Sequence, residues 1–146
     1  MPSRKVEDLI PEIQPKAKEL IELAKRAGID ILITSTFRTF QEQAELYSLG
    51  RTKPGKRVTN AKPGESFHNV RRAFDVVPIV LGKAVWDSGR WEEIGKLGES
   101  LGFGWGGRFT RLKDSPHFEW KQCDIHKTIH PKAEAFGEDG VCKLLT

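Results

Sequence analysis

Two short stretches of the chain combine histidine with carboxylate side chains. GESFHNVRRAFDVV carries His68 and, seven residues later, Asp75, and DSPHFEW carries His117 three residues after Asp114. A catalytic zinc ion takes three nitrogen or oxygen ligands from the protein and leaves one position open for water. His68, Asp75 and His117 supply such a set if their segments are neighbours. Asp114 then lies where a general base can take a proton from that water.

Each of these residues also has an ordinary explanation. A lone His beside a strand is more often structural, and the stretch around His68 is almost equally typical of a polar loop that leads into a strand. Asp75 is harder to explain in this way, because an unpaired charge in the apolar run AFDVVPIV is expensive and a metal ion would offset that cost. His126 and His130 have the spacing of metal ligands on a helix, but Pro131 and the missing Glu argue against such a site, so we expect surface residues.

Hydrophobic spacing predicts the elements that position these residues. Thr39 and Glu42 form the pattern of a helix N-terminal capping box. Between them and His68, residues 51–67 contain two Pro-Gly pairs and predict a long loop. Helices are predicted at 6–27, 39–50 and 88–103, strands at 29–37, 72–81 and 116–120, and a hairpin turn at GKAVWDSG. The 146 residues therefore predict a single α+β domain, 1–146, with helices packed on a small, mostly antiparallel sheet.

Composition limits the class of protein and its partners. No apolar run approaches the about 18 residues of a membrane span, so we expect no membrane insertion. The charged, proline-containing N-terminus lacks the apolar core of a signal peptide, which predicts synthesis in the cytoplasm. The net charge of +4 suits an anionic polymer, but the basic residues are dispersed without aromatic interleaving, which argues against nucleic acid. We expect a monomer. Cys123 and Cys142 are expected to be free thiols, and a bridge between them is the less favoured alternative.

The two motifs resemble those of a known family. SFHNVRRAFDVV resembles the S-x-H-x-x-G-x-A-x-D element of the LAS-type zinc peptidases, and DSPHFEW resembles their D/E-x-x-H element. These peptidases include D-alanyl-D-alanine carboxypeptidases and dipeptidases, and the L-alanyl-D-glutamate endopeptidases of phage endolysins. STFRTFQEQAELYSLGRT resembles the endopeptidase branch, and the likeness runs from about Thr34 to Trp120. The resemblance implies a hedgehog/D-Ala-D-Ala peptidase-like fold with a zinc site at the sheet.

The resemblance also implies roles for individual residues. It matches His68, Asp75 and His117 to the ligands of one Zn²⁺ per chain, and Asp114 to the acidic residue that activates water. It matches Arg38, in TFRT, to the arginine that binds substrate or stabilises the developing oxyanion.

Four further residues are expected near the site. Ser66 is interpreted as a hydrogen-bonding residue, and Glu119 as a partner that orients a ligand imidazole rather than as an extra ligand. Gln43 is expected to face the site or the helix surface. Trp105, flanked by glycines in FGWGGRF, is the aromatic residue expected to line the cleft.

One position departs from the family pattern. Arg71 stands where the family has Gly, which would ease a positive φ or close backbone packing. We expect that the site is retained, and that Arg71 and Arg72 are surface charges rather than contacts to the substrate.

The function implied by the resemblance is zinc-dependent cleavage of the L-alanyl-D-glutamate bond in the stem peptide of bacterial peptidoglycan, as in endolysins. A D-alanyl-D-alanine carboxypeptidase is the alternative within the enzyme class. A non-catalytic, zinc-stabilised wall-binding module is the alternative from another class. No separate wall-binding domain is evident, and an enzyme without a signal peptide is expected to reach the wall after holin-mediated release.

Overall fold

Helices and strands alternate along the chain in the computed structural model, which describes residues 2–123 and 127–143. The α-helices are α1 Gln14–Arg26, α2 Phe40–Ser48 and α3 Trp91–Ser100. The strands are β1 Ile31–Ser35, β2 Ala73–Val80, β3 Lys83–Ala84, β4 Gly104–Trp105, β5 His117–Glu119, β6 Gln122–Cys123 and β7 Thr128–Ile129. Short 3-10 turns lie at Val6–Asp8, Phe67–Val70, Gly106–Arg108 and Ala133–Ala135. The predicted α+β class is confirmed, and no helix in the described ranges has the length and hydropathy of a membrane span.

The sheet that carries the candidate ligands is antiparallel. Its strand order is β1-β2-β5-β4, and the short strand β3 pairs with β2. The register places Asp75 of β2 opposite Ser35 of β1 on one side and His117 of β5 on the other. Strand pairing therefore joins two motifs whose key residues are 42 positions apart in the sequence.

Helices α1 and α3 cover the sheet through small and apolar side chains. The α1 helix begins next to Pro15, which suits a first helical turn, so the predicted helix at 6–27 is in fact a short 3-10 turn followed by α1. The α3 helix buries Ile94 together with Gly95 and Gly98. A Cβ at Gly98 would collide with the ring of Phe118, so glycine lets the helix approach the sheet closely.

The α2 helix has the predicted capping box and buries little of its side-chain surface. The Glu42 backbone N–H donates to Thr39 Oγ1 over 3.0 Å, and the Thr39 N–H donates to the Glu42 carboxylate over 2.9 Å. Its one buried residue is the polar Gln43. Of its apolar residues, Ala44 is exposed and Leu46, Tyr47 and Leu49 are half-buried, and Leu46 lines a cleft.

The segment after β5 packs as a second, smaller apolar cluster. Phe136 and Ala133 bury themselves against Phe67 and Val70 of the 3-10 turn before β2. Arg72, only 2% exposed, donates from Nε to the Gly140 carbonyl over 2.8 Å and from Nη1 to the Gln122 carbonyl over 2.6 Å. The expectation that Arg72 is a surface charge is therefore wrong, because backbone carbonyls of the folded-back segment solvate its guanidinium.

The two cysteines are joined. Cys123 and Cys142 form a disulfide with a Cα–Cα distance of 6.1 Å, and both are buried in this second cluster. The expectation of free thiols is corrected. Ala133 and Phe136 pack on the turn before β2, and this return of the chain brings together two cysteines that are 19 positions apart. Cysteine number and spacing carry no information about that path.

Candidate metal centre

Three side chains from two motifs converge at the middle of the sheet. His68 lies on the Phe67–Val70 turn, Asp75 on β2 and His117 on β5. Their facing atoms are His68 Nε2, Asp75 Oδ1 and His117 Nδ1, and each of the three separations is 3.2 Å. Both imidazoles are buried, and the Asp75 side chain is 20% exposed.

The triangle of donor atoms fits a small tetrahedral cation. Bonds of 2.0–2.1 Å to nitrogen and oxygen separate neighbouring ligands of a tetrahedral zinc ion by about 3.3 Å. The observed 3.2 Å edges match that spacing, and the three residues form the His/Cys/Asp/Glu group that could hold a metal within the described residues.

Hydrogen bonds on the far side of each ring hold the imidazoles in place. His68 Nδ1 lies 2.7 Å from the Thr36 carbonyl, and His117 Nε2 lies 2.7 Å from the Glu119 carboxylate. Since a carbonyl and a carboxylate only accept, these ring nitrogens donate, and a neutral imidazole then turns its lone pair toward the centre. Glu119, 6% exposed, lies behind the His117 ring and away from the other donor atoms.

At the centre, Asp75 and His117 stabilise each other's charged form. Burial by itself would raise the pKa of Asp75, but the charges and hydrogen bonds of His68 and His117 hold it well below its usual range. Burial would lower the pKa of His117, but hydrogen bonds to Asp75 and Glu119 raise it to about 10. The cluster therefore attracts a proton or another cation to the point where the three donor atoms meet.

Asp114 lies at the mouth of the centre, one turn before β5. Its Oδ2 is 4.0 Å from His117 Nδ1, and its side chain is half-exposed. Gly106 allows this placement, because its carbonyl accepts from the Asp114 N–H over 3.0 Å and a Cβ there would collide with the Asp114 carbonyl. Burial, with a further contribution from the Asp75 charge, raises the pKa of Asp114 above its usual value.

Arg38 follows β1 and is held by a buried amide. Its Nη1 donates to Gln43 Oε1 over 2.9 Å, and the Gln43 amide in turn donates to the Ala61 carbonyl over 2.8 Å. Arg38 Nε is buried without a hydrogen-bond partner among the described residues, and burial lowers the pKa of the guanidinium. Gln43 is therefore buried and holds the Arg38 side chain, which excludes the helix surface as its location.

Ser66 and Asn69 shape the turn that carries His68. Ser66 Oγ accepts from the His68 N–H over 3.2 Å. Asn69 Nδ2 donates to the Arg38 carbonyl over 2.9 Å, which ties the turn to the segment after β1. Asn69 was not singled out from the sequence, although its place three residues after Ser66 is that of a capping box.

The unusual Arg71 occupies the backbone conformation for which glycine is suited. Its φ is +60° and its ψ is 27°, in the left-handed region. Its guanidinium stacks 3.9 Å above the Phe37 ring and donates to the Asp8 carbonyl over 3.0 Å. These contacts offset the cost of a side chain at this position, and the ligand-bearing turn before it is retained.

The donor atoms open into a cleft of about 590 Å³. Arg38, Ser66, His68, Asp114 and His117 all line it. Trp105 does not line this cleft, which corrects the prediction made for it. Its indole is 5% exposed in the core and donates to the Ser115 carbonyl over 2.7 Å. This hydrogen bond anchors the loop that carries Asp114.

The comparisons with known proteins agree with this architecture. Residues 59–120 match a family described as D-alanyl-D-alanine carboxypeptidase. The chain is 43% identical over 122 residues to the peptidoglycan L-alanyl-D-glutamate endopeptidase CwlK of Bacillus subtilis (strain 168), covering 77% of this chain and 73% of that protein. It is 30% identical over 119 residues to the L-alanyl-D-glutamate peptidase of Listeria phage A118, covering 79% of this chain and 39% of the phage protein.

Solved structures share the fold at lower identity. The Serratia marcescens L-Ala D-Glu endopeptidase ChiX superposes with a TM-score of 0.57 at 22% identity, covering 82% of this chain and 87% of that one. The vancomycin resistance D,D-pentapeptidase VanY, solved in complex with Zn(II), superposes with a TM-score of 0.60 at 17% identity, covering 77% and 72% of the two chains. At these identities the likeness establishes the fold.

Proposed function

The chain belongs to the peptidase family described as D-alanyl-D-alanine carboxypeptidase, and from that premise we propose that it is a zinc-dependent peptidoglycan peptidase that cleaves the L-alanyl-D-glutamate bond of the stem peptide. The observation that carries this proposal is the convergence of His68, Asp75 and His117 at 3.2 Å separations, with Asp114 beside them in an open cleft. The 43% identity to CwlK supports the choice of bond.

In this proposal His68 Nε2, Asp75 Oδ1 and His117 Nδ1 hold one Zn²⁺ per chain. A zinc ion bound there supplies Lewis acidity toward the scissile carbonyl and lowers the pKa of water to about 7. Thr36 and Glu119 keep the two imidazoles in the tautomer and orientation that binding requires.

Asp114 takes the proton from the attacking water and returns it to the nitrogen of the leaving D-glutamate. Its position fits this role, since Oδ2 lies 4.0 Å from a ligand nitrogen and the half-exposed side chain lines the cleft.

Arg38 stabilises the negative charge that develops on the carbonyl oxygen of L-alanine. Its guanidinium lines the cleft, Gln43 restrains one of its nitrogens, and its Nε has no hydrogen-bond partner among the described residues. A guanidinium fixed at the wall of the cleft places positive charge where that oxygen develops its negative charge.

Product analysis separates the two peptidase functions. Mass spectrometry of purified peptidoglycan treated with the protein should show new peptides that begin with D-glutamate. Release of free D-alanine with intact L-alanyl-D-glutamate bonds would instead support the carboxypeptidase alternative, which the family description keeps open.

Metal analysis separates an enzyme from a wall-binding module. The wild-type protein should contain about one zinc per chain. The Asp114→Ala variant should keep its zinc and lose about 10²- to 10⁴-fold in turnover, as expected for removal of a general base. The His117→Ala variant should lose both zinc and activity. Wild-type turnover in Asp114→Ala would contradict the base assignment, and activity without metal would contradict the mechanism.

Action on the bacterial cell wall follows from the proposed substrate. Release through a holin pore and a monomeric state stay predictions. Of the two histidines expected at the surface, His130 is half-buried, with its Nε2 3.1 Å from Thr128 Oγ1 and its ring edge-on to Phe136. His126 lies outside the described residues.

A further inference from the structure

A second groove continues the catalytic cleft toward the C-terminal segment. It has a volume of about 380 Å³ and shares Asn60, Ala61, Glu65 and Phe67 with the cleft. Its other wall is formed by residues 131–134. No residue of the 109–119 segment lines it, so it extends from the end of the cleft opposite Asp114.

The two ends of the combined cleft differ in charge. Arg111 and Lys113 lie beside Asp114 at one end and line the cleft there. The groove at the other end combines Lys132 with the acidic Glu65 and Glu134, and so carries no excess of positive charge.

The proposed substrate has the same asymmetry. Beyond the scissile bond, the stem peptide carries the carboxylates of D-glutamate and the residues that follow. Before it lies L-alanine, whose nitrogen is acylated by the lactyl group of N-acetylmuramic acid, and this side is uncharged. Charge complementarity places the acidic part against Arg111 and Lys113. The same direction places the leaving nitrogen beside Asp114, its proton donor.

We propose that this second groove is a subsite for the muramyl residue, so that the protein acts preferentially on stem peptides still attached to the glycan. The inference rests on the proposed function and names the part of its substrate that the groove recognises. The groove offers what a sugar requires: an exposed apolar residue, Pro131, and polar groups from Lys132 and Glu134, above the buried Phe67 and Ala133.

The wall of the groove is built as a fixed structure. Ala133 is 1% exposed, and the Phe136 ring packs 6.1 Å from the Phe67 ring, next to the ligand His68. The Arg72 guanidinium lies 3.9 Å from the centre of the Phe136 ring, and the Cys123–Cys142 disulfide fixes the end of the segment. The subsite is therefore formed before substrate arrives, which reduces the ordering cost of binding.

The test compares two substrates with the same stem peptide. One carries the N-acetylglucosaminyl-N-acetylmuramyl disaccharide, and the other carries only the lactoyl group on L-alanine, so both keep the same amide. The wild-type protein should cleave the disaccharide substrate with a kcat/KM at least about fivefold higher, mainly through a lower KM, because one added hydrogen bond contributes about that factor. Equal kcat/KM values for the two substrates would overturn the subsite.

Variants locate the effect. Glu134→Ala and Lys132→Ala should each reduce the ratio of the two kcat/KM values. Glu138→Ala removes an exposed carboxylate from the same segment outside the groove and should leave the ratio at its wild-type value. Indistinguishable ratios for Glu134→Ala and Glu138→Ala would overturn the assignment. Failure of the wild-type protein to cut either substrate would instead overturn the proposed function.

Discussion

Removal of the Cys123–Cys142 bridge should cost the protein a large part of its stability. The bridge closes a loop of 19 residue positions, and the loop-closure entropy of an unfolded chain predicts a stabilisation of about 3 kcal/mol for a loop of that length. A domain of this size has a total free energy of unfolding of about 5–15 kcal/mol, so the loss is readily measured.

The assay is urea unfolding followed by tryptophan fluorescence, with and without a phosphine reductant. Metal should first be removed with a chelator, because zinc binding would otherwise add its own stability. Reduction should lower the free energy of unfolding of the wild-type protein by about 3 kcal/mol. The Cys123→Ser, Cys142→Ser double variant should match the reduced wild type and be insensitive to reductant.

Two results would refute the reasoning. The first is an equal free energy of unfolding for the oxidised and reduced wild-type protein. The second is a titration of two free thiols in the denatured protein before any reductant is added, since that would show that the bridge does not form.

Three further predictions concern the metal centre and the packing. Glu119→Gln removes the charge behind the His117 ring and should weaken zinc affinity about 10- to 100-fold. The measurement is a competition titration with a chromogenic chelator, with Glu138→Ala as a control that keeps the wild-type affinity. Equal zinc affinities of Glu119→Gln and the wild-type protein would contradict the orienting role of Glu119. The pKa of His117 is raised to about 10 in the metal-free protein, so below that pH a zinc ion must displace a proton from the ring. The apparent zinc affinity should therefore rise about tenfold per pH unit between pH 6 and 8. An affinity that does not change with pH would exclude a protonated His117. Gly98→Ala would push a methyl group into the buried Phe118 ring and should lower the free energy of unfolding, measured in urea, by about 1–3 kcal/mol. Gly89 has open space around it, so Gly89→Ala should leave the free energy of unfolding nearly unchanged. Equal effects of the two substitutions would argue against close packing of α3 on the sheet.

Local patterns in the sequence determined much of the site. The spacing of His68 and Asp75, the second motif around His117 and the Thr39–Glu42 capping box all depend on residues close together in the chain, and the structure has each of them on the predicted kind of element. The apolar run around Asp75 made a partner for that carboxylate necessary, and the partners are the two imidazoles. Arg71 marked a position of positive φ, because the family pattern has glycine there.

Contacts between distant segments decided the rest. Arg72 was expected at the surface, and for Gln43 the helix surface was one of two alternatives. Both are buried, because backbone carbonyls from distant parts of the chain accept hydrogen bonds from them. Trp105 lies in the core since two glycines, Gly95 and Gly107, leave room for its ring. The pairing of the cysteines depends on the return of the C-terminal segment onto the turn before β2.

The residue types and spacings of the metal site were therefore present in the sequence, but its geometry came from the sheet register. Antiparallel pairing of β2 with β5 sets Asp75 against His117, and a shift of one residue would turn the His117 side chain to the other face. That register is selected by burial of the whole apolar face, including Phe74 and Phe118, which is a property of the folded molecule and of no single segment.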